Sequence, residues 1–186
     1  NREPADITPY ELELTGNWLS RENQQPPRMV SFLKGKEISN QTEKMSTSGV
    51  IGQSRASAHS QVMLTVKPDG SWRFCIDFRR LNAVTKHENW PLPKIKEMLE
   101  RLGRKKAKWY GVIDLTKGYY QAPLHENSQH LTAFITPDGL YEWKRVPMGL
   151  SGAGAYFQRA MATEVLAGLV HNICEVYLDD IIIFGL

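Results

Sequence analysis

Two adjacent aspartates, Asp179 and Asp180, lie between two apolar runs, Val176-Tyr177-Leu178 and Ile181-Ile182-Ile183-Phe184. The pattern reads as strand, tight corner, strand, with the acids at the corner. The favoured two-residue corners are Asn-Gly, Asp-Gly and Gly-Gly, because the central positions want φ > 0. Asp-Asp is a poorer turn and sets two like charges side by side. A chain that keeps such a corner between strongly apolar strands points to a use for the charge. Two carboxylates on a rigid hairpin cradle a divalent cation, and a third from elsewhere in the chain would complete a two-metal site for phosphoryl transfer.

The rest of the chain supplies the elements that must hold those acids. Residues 1–30 are polar, carry four prolines (Pro4, Pro9, Pro26, Pro27) and read as a linker or extended arm. Residues 36–48 predict a polar helix, so residues 1–48 are expected to precede the globular part, 49–186. Val62–Val66 is a strand, and Lys67-Pro68-Asp69-Gly70 is a turn in which Pro presets φ and Gly accepts a left-handed conformation. Trp72, Phe74, Ile76 and Phe78 alternate with Arg73, Cys75, Asp77 and Arg79, which predicts a half-buried strand. Pro91 and Pro93 open a helix with Ile95, Met98, Leu99 and Leu102 on one face, closed by Gly103. A strand over Trp109–Ile113 delivers Asp114 at its end. A second hairpin turns at Pro137-Asp138-Gly139, and a Gly-rich entry, Gly149–Gly154, leads into a helix from Ala155 to about Ala167. Strands and helices mix with many hairpins, so the class expected is α+β with antiparallel sheet.

Bulk properties narrow the field. A chain of 186 residues buries a core of its own without staples. Its formal net charge of +3 is compatible with a nucleic-acid partner without requiring one. Cys75 and Cys174 form no Cys-x-x-Cys pair and read as reduced thiols of a cytosolic or nuclear protein. The five histidines show no metal-ligand spacing. No apolar run reaches about 18 residues, so no membrane partner is expected. The chain begins at Asn1 rather than Met, and reads as part of something longer.

Seven blocks, taken in order and spacing, carry a resemblance: Lys67–Asn82, Trp90–Pro93, Ile113–Gln121, Thr132–Phe134, Val146–Leu150, Phe157-Gln158 and Tyr177–Asp180. From about Gly49 to the C-terminus the chain resembles the reverse transcriptase of gypsy-class LTR retrotransposons and of retroviruses. The resemblance implies a right-hand polymerase fold, fingers and partial palm, and an RNA-directed DNA polymerase that adds deoxynucleotides to a primer 3′ end on an RNA or DNA template. It implies that Asp114, Asp179 and Asp180 are catalytic and bind two Mg²⁺ ions, with Mn²⁺ as a substitute. Lys67 and Arg73 match positions that hold the incoming triphosphate, Tyr119 an aromatic under the nucleotide sugar that would clash with a 2′-hydroxyl, and Met148 a position lining the nucleotide pocket. Asp77, Arg79 and Gln158 are implied as contacts to nucleic acid, with an ion pair holding the sheet as the other reading of Asp77 and Arg79. Missing thumb and ribonuclease H segments of a longer polyprotein are implied partners, and a cytoplasmic virus-like particle or the nucleus the implied location.

Two readings of the chemistry stand beside each other. Without the resemblance, Asp114 reads equally as a helix N-cap and Asp179-Asp180 as a solvated turn. The alternative function is a truncated or co-opted module that binds nucleic acid or protein without polymerase activity. The basic run Arg101, Arg104, Lys105, Lys106 and Lys108 is either a phosphate-binding patch or a solvated face. One departure from the family pattern adjoins the pocket: Ala153-Gly154-Ala155 stands where Ala-Pro is usual. The strand Ile181–Phe184 is expected to lack its outer neighbours.

Overall fold

The computed structural model describes residues 3–185. In chain order its elements are α1 (Phe32–Thr47), β1 (Ile51–Gln53), β2 (Ser60–Val66), β3 (Trp72–Asp77), α2 (Arg79–Ala83), α3 (Ile95–Lys105) and β4 (Trp109–Asp114). Then follow α4 (Gly118–Gln121), α5 (Glu126–Gln129), β5 (Phe134–Thr136), β6 (Gly139–Trp143), α6 (Ala153–Ala160), β7 (Cys174–Tyr177) and β8 (Asp180–Gly185). A single π-turn over Met161–Val165 continues α6.

The strands form two sheets. One has the order β1-β6-β5-β2-β3 and the other β4-β8-β7. All neighbours run antiparallel except β2 and β5, which pair in parallel through Ser60↔Phe134 and Gln61↔Ile135. Hairpin neighbours must be antiparallel, whereas the long connection from β2 to β5 leaves direction free. In the small sheet β8 is central. The expectation that it lacks neighbours is therefore corrected: β4 and β7 flank it, and β4 is an edge, with Val112 72% exposed.

One core joins both sheets. Phe134 meets Phe74, Tyr141 and Trp143 at ring distances of 5.8, 5.9 and 5.8 Å, and Trp143 meets Tyr120 of α4 at 5.3 Å. Tyr156, Phe157 and Met161 on the α6 segment pack in the same buried cluster as Cys174 and Val176 of β7 and Ile181 of β8. That contact seats the acidic hairpin on a rigid helix.

Several expected boundaries shift for physical reasons. Residues 3–30 are not a free linker: Tyr10, Leu12 and Trp18 are buried in the core cluster. The strap is tied by its backbone, with Tyr10 N–H donating to Pro123 O at 3.0 Å and Thr15 N–H to Val84 O at 2.8 Å. Helix α1 begins earlier than predicted because Ser31 caps it, its hydroxyl accepting from Lys34 N–H. Helix α3 runs through Gly103 and ends where Lys106 takes the left-handed conformation (φ 48°). Arg79 is not on the strand face with Asp77; it opens α2.

Candidate active site

The acidic corner differs from the expected one by a residue. Tyr177 pairs with Asp180, so Leu178 and Asp179 make the two-residue turn and Asp180 is the first residue of β8. The left-handed backbone falls on Leu178 (φ 55°) and on neither aspartate. A non-glycine there costs roughly 1–2 kcal/mol, so the corner keeps its shape only where the surroundings hold it. Leu115 N–H donates to Asp179 O at 3.1 Å, tying the corner to the chain just after β4.

The third acid comes from β4. In the β4–β8 ladder Asp114 lies directly across from Asp180, on the same face of the sheet. Sixty-five residues of sequence separate Asp114 from Asp179, and the sheet brings them to one end. Like charges directly opposite one another destabilise a ladder, and no described side chain forms a hydrogen bond or ion pair with any of the three carboxylates. Among the described residues no three acidic, histidine or cysteine side chains form a ready-made cage for one ion. With Asp114 and Asp180 exposed and Asp179 half-buried, carboxylates with free oxygens suit Mg²⁺, which is usually held by one or two carboxylates together with substrate phosphates and water. The donor set fits a divalent cation on that ground.

Helix α4 packs tightly against this end. A Cβ on Gly118 would lie 3.1 Å from Phe157 Cζ and 3.2 Å from Asp179 Cβ, so any larger residue would press on both. Tyr119, next in α4, stacks on Phe157 with ring centroids 4.9 Å apart. Burial, then the charges of Asp179 and Tyr177, hold its phenol above the ordinary range. A Cβ on Gly154 would touch both the Tyr119 hydroxyl and Leu178 Cδ2, at 3.9 and 3.8 Å. Position 154, where the family pattern is broken, therefore adjoins the corner and the aromatic together.

Gln158 is 2% exposed, and its amide is occupied by the hairpin: Nε2 donates to Val176 O at 3.0 Å and Oε1 accepts from Leu178 N–H at 2.7 Å. Nothing in the sequence signalled this. Met148 stands 58% exposed in the loop before α6. That loop is clamped by Asn82, whose side chain donates to Gly149 O at 2.8 Å and accepts from Ser151 N–H at 2.9 Å. Asn82 ends the Lys67–Asn82 block, whose resemblance implies no role for it.

The remaining predicted residues belong to the larger sheet. Lys67 and Arg73 flank the β2–β3 turn, which forms as expected: Gly70 has φ 81° and donates to Lys67 O at 2.9 Å. Arg73 is exposed and forms no salt bridge among the described residues. Asp77 and Arg79 make the ion pair that was one of their two readings. Arg79 Nε and Nη2 donate to Asp77 at 2.7 Å each, and Arg28 adds a third bond at 3.2 Å. The hydrogen bonds from Arg79 draw the Asp77 carboxyl down to about 2. Arg101 leaves the expected basic patch: it grips buried Glu175 with two bonds, at 2.9 and 3.0 Å.

A family model for "Reverse transcriptase (RNA-dependent DNA polymerase)" matches residues 65–185. The retrovirus-related Pol polyprotein from transposon 297 of Drosophila melanogaster is 41% identical over 154 residues, 80% of this chain and 14% of that one. The polyprotein from transposon gypsy of the same species is 37% identical over 154 residues, 80% of this chain and 15% of that one. The foamy viral protease-reverse transcriptase in complex with RNA/DNA hybrid superposes with a TM-score of 0.77 at 22% identity, covering 97% of this chain and 23% of that one. The match over most of its length places this chain in the reverse transcriptase family, and its fold is the polymerase fold of that family. It spans 14% and 15% of the two transposon polyproteins.

Proposed function

We propose that this chain is the fingers and catalytic palm portion of an RNA-directed DNA polymerase, extending a primer 3′ end with deoxynucleotides on an RNA or DNA template. The observation that carries the reading is the pairing of Asp114 with Asp180 across β4 and β8, beside Asp179 at the corner. Three carboxylates at one sheet end, with no cationic side chain among the described residues paired to them, call for cations from outside. Two divalent ions, Mg²⁺ or Mn²⁺, when bound there supply activation of the primer hydroxyl and charge neutralisation of the leaving pyrophosphate.

The chain's own groups do the rest of the work. Asp114, Asp179 and Asp180 hold the ions. Arg73, with its fork of donors, and Lys67, as a point charge, bind the triphosphate. The Tyr119 ring, backed by Phe157, forms a floor that leaves no room for a 2′-hydroxyl. Met148 offers an apolar surface and no hydrogen bond to the nucleotide. Asp77 orients Arg79 towards the template side, where the guanidinium meets backbone phosphate.

The test is primer extension on an RNA template, with Mg²⁺ or Mn²⁺, by this polypeptide alone and joined to the downstream sequence of a relative. Metal-dependent extension is expected in at least the joined form, and Asp179→Asn abolishes it. Extension that survives Asp179→Asn would remove the carboxylates from the mechanism.

A further inference from the structure

We infer that Gln158 is a positioning residue for the acidic corner and that it makes no contact with template. The inference rests on the polymerase reading above and deepens it. In the small sheet β7 is an edge strand, so the Val176 carbonyl and the Leu178 N–H have no strand to pair with on the outer side. A carbonyl at one residue and an N–H two residues on face the same side of a strand. The Gln158 amide meets both, donating to Val176 O at 3.0 Å and accepting from Leu178 N–H at 2.7 Å. One side chain thus supplies what a residue of a neighbouring strand would supply.

The placement matters because Leu178 carries the positive φ of the corner. Its N–H bond to Gln158 fixes the peptide plane leading into that strained residue, and with it the direction in which Asp179 leaves the turn. Leu115, bonded to Asp179 O, fixes the plane on the other side. Gln158 is itself immobile, being buried on α6 beside Phe157, whose ring abuts Gly118 and Tyr119. Both polar atoms of the amide bond the hairpin, and at 2% exposure the side chain offers no surface to a strand in the cleft. The residue type follows: a carboxylate lacks the donor, a lysine lacks the acceptor, and asparagine is one methylene too short.

Three readouts on wild type and Gln158→Met test this: amide hydrogen exchange at Leu178, affinity for Mn²⁺ from the electron paramagnetic resonance of the free ion, and affinity for a fluorescent RNA/DNA template-primer. Gln158→Met is expected to deprotect the Leu178 amide and weaken Mn²⁺ binding by ~10-fold or more, as loss of a group that orients metal ligands does. Template-primer affinity is expected to stay within about twofold, far from the loss a direct contact would show. If Gln158→Met does not fold, Gln158→Glu carries the Mn²⁺ and template-primer comparison, with the Leu178 amide staying protected, since it loses the donor to Val176 and keeps the acceptor for Leu178. Unchanged Mn²⁺ affinity, or a loss confined to template-primer affinity, overturns the inference. A wild-type chain that binds no Mn²⁺ overturns instead the polymerase reading beneath it.

Discussion

Tyr119 is the side chain on which discrimination between sugars would fall. Its ring stacks on Phe157, with centroids 4.9 Å apart, and its hydroxyl faces Gly154. Tyr119→Val keeps a side chain in the core but removes the rigid floor. In steady-state incorporation assays it should raise the ribonucleotide-to-deoxynucleotide ratio by at least ~10-fold, the scale on which a steric pocket discriminates, with little loss of deoxynucleotide use. An unchanged ratio would reduce Tyr119 to a packing residue. At this scale the sequence was most legible where chemistry forces a residue type. The meeting of the three aspartates at one sheet end and the Lys67–Gly70 turn were legible because carboxylate, Pro and Gly each do something other side chains cannot. Gln158 and Asn82 did not read, because an amide bonding to backbone leaves no spacing or composition signal. The left-handed position of the corner was misplaced for a related reason: Leu178 adopts it under tertiary constraint, against its own preference.

Among the elements, α3 and β7 are joined by one buried device. Glu175 on β7 is 3% exposed at its side chain, receives two bonds from Arg101 of α3, and lies 3.1 Å from His171 Nδ1. Burial alone would raise its carboxyl, but the bonds from Arg101 and His171 outweigh it and leave it below the usual range. A depressed folded-state value means the contribution is complete above the unfolded carboxylate value, about 4.3, and is lost as pH falls through the folded one. Glu175→Gln should therefore lower unfolding stability by about 2 kcal/mol at pH 7, a figure reduced because Arg101 is partly exposed. The gap to wild type should narrow as pH falls below about 4.3. Urea titrations at pH 7, 5 and 3 would show it, and a gap independent of pH would contradict the assignment. The amphipathic face of α3 was legible, whereas its end was not. Gly103 looks like a terminus, but two favourable helix formers, Arg104 and Lys105, follow before Lys106 turns. The basic run gave no hint that Arg101 belongs to an acid on a distant strand.

The molecule as a whole is two sheets sharing one core, with an N-terminal strap closing over the join. The strap escaped sequence reading because four prolines and a polar composition hide three anchors, Tyr10, Leu12 and Trp18, that follow no helix or strand period. The strap reaches the site's support directly: the Tyr10 ring packs tilted against Tyr156 of α6 at 4.8 Å, and the Tyr156 hydroxyl donates to Thr8 O at 2.7 Å. Block order, by contrast, made the convergence of β4 with the terminal hairpin legible, since only a fold that lays those strands together makes sense of the three acids. That convergence on divalent cations is the central claim. It is tested most directly by adding Mn²⁺ to the isotopically labelled chain and mapping which backbone amides its unpaired electrons broaden. The account predicts that residues 113–116 and 177–181 broaden together at substoichiometric Mn²⁺, and that Asp114→Asn or Asp180→Asn weakens both sets at once. Broadening of one segment without the other, or of neither while the chain stays folded, would contradict it.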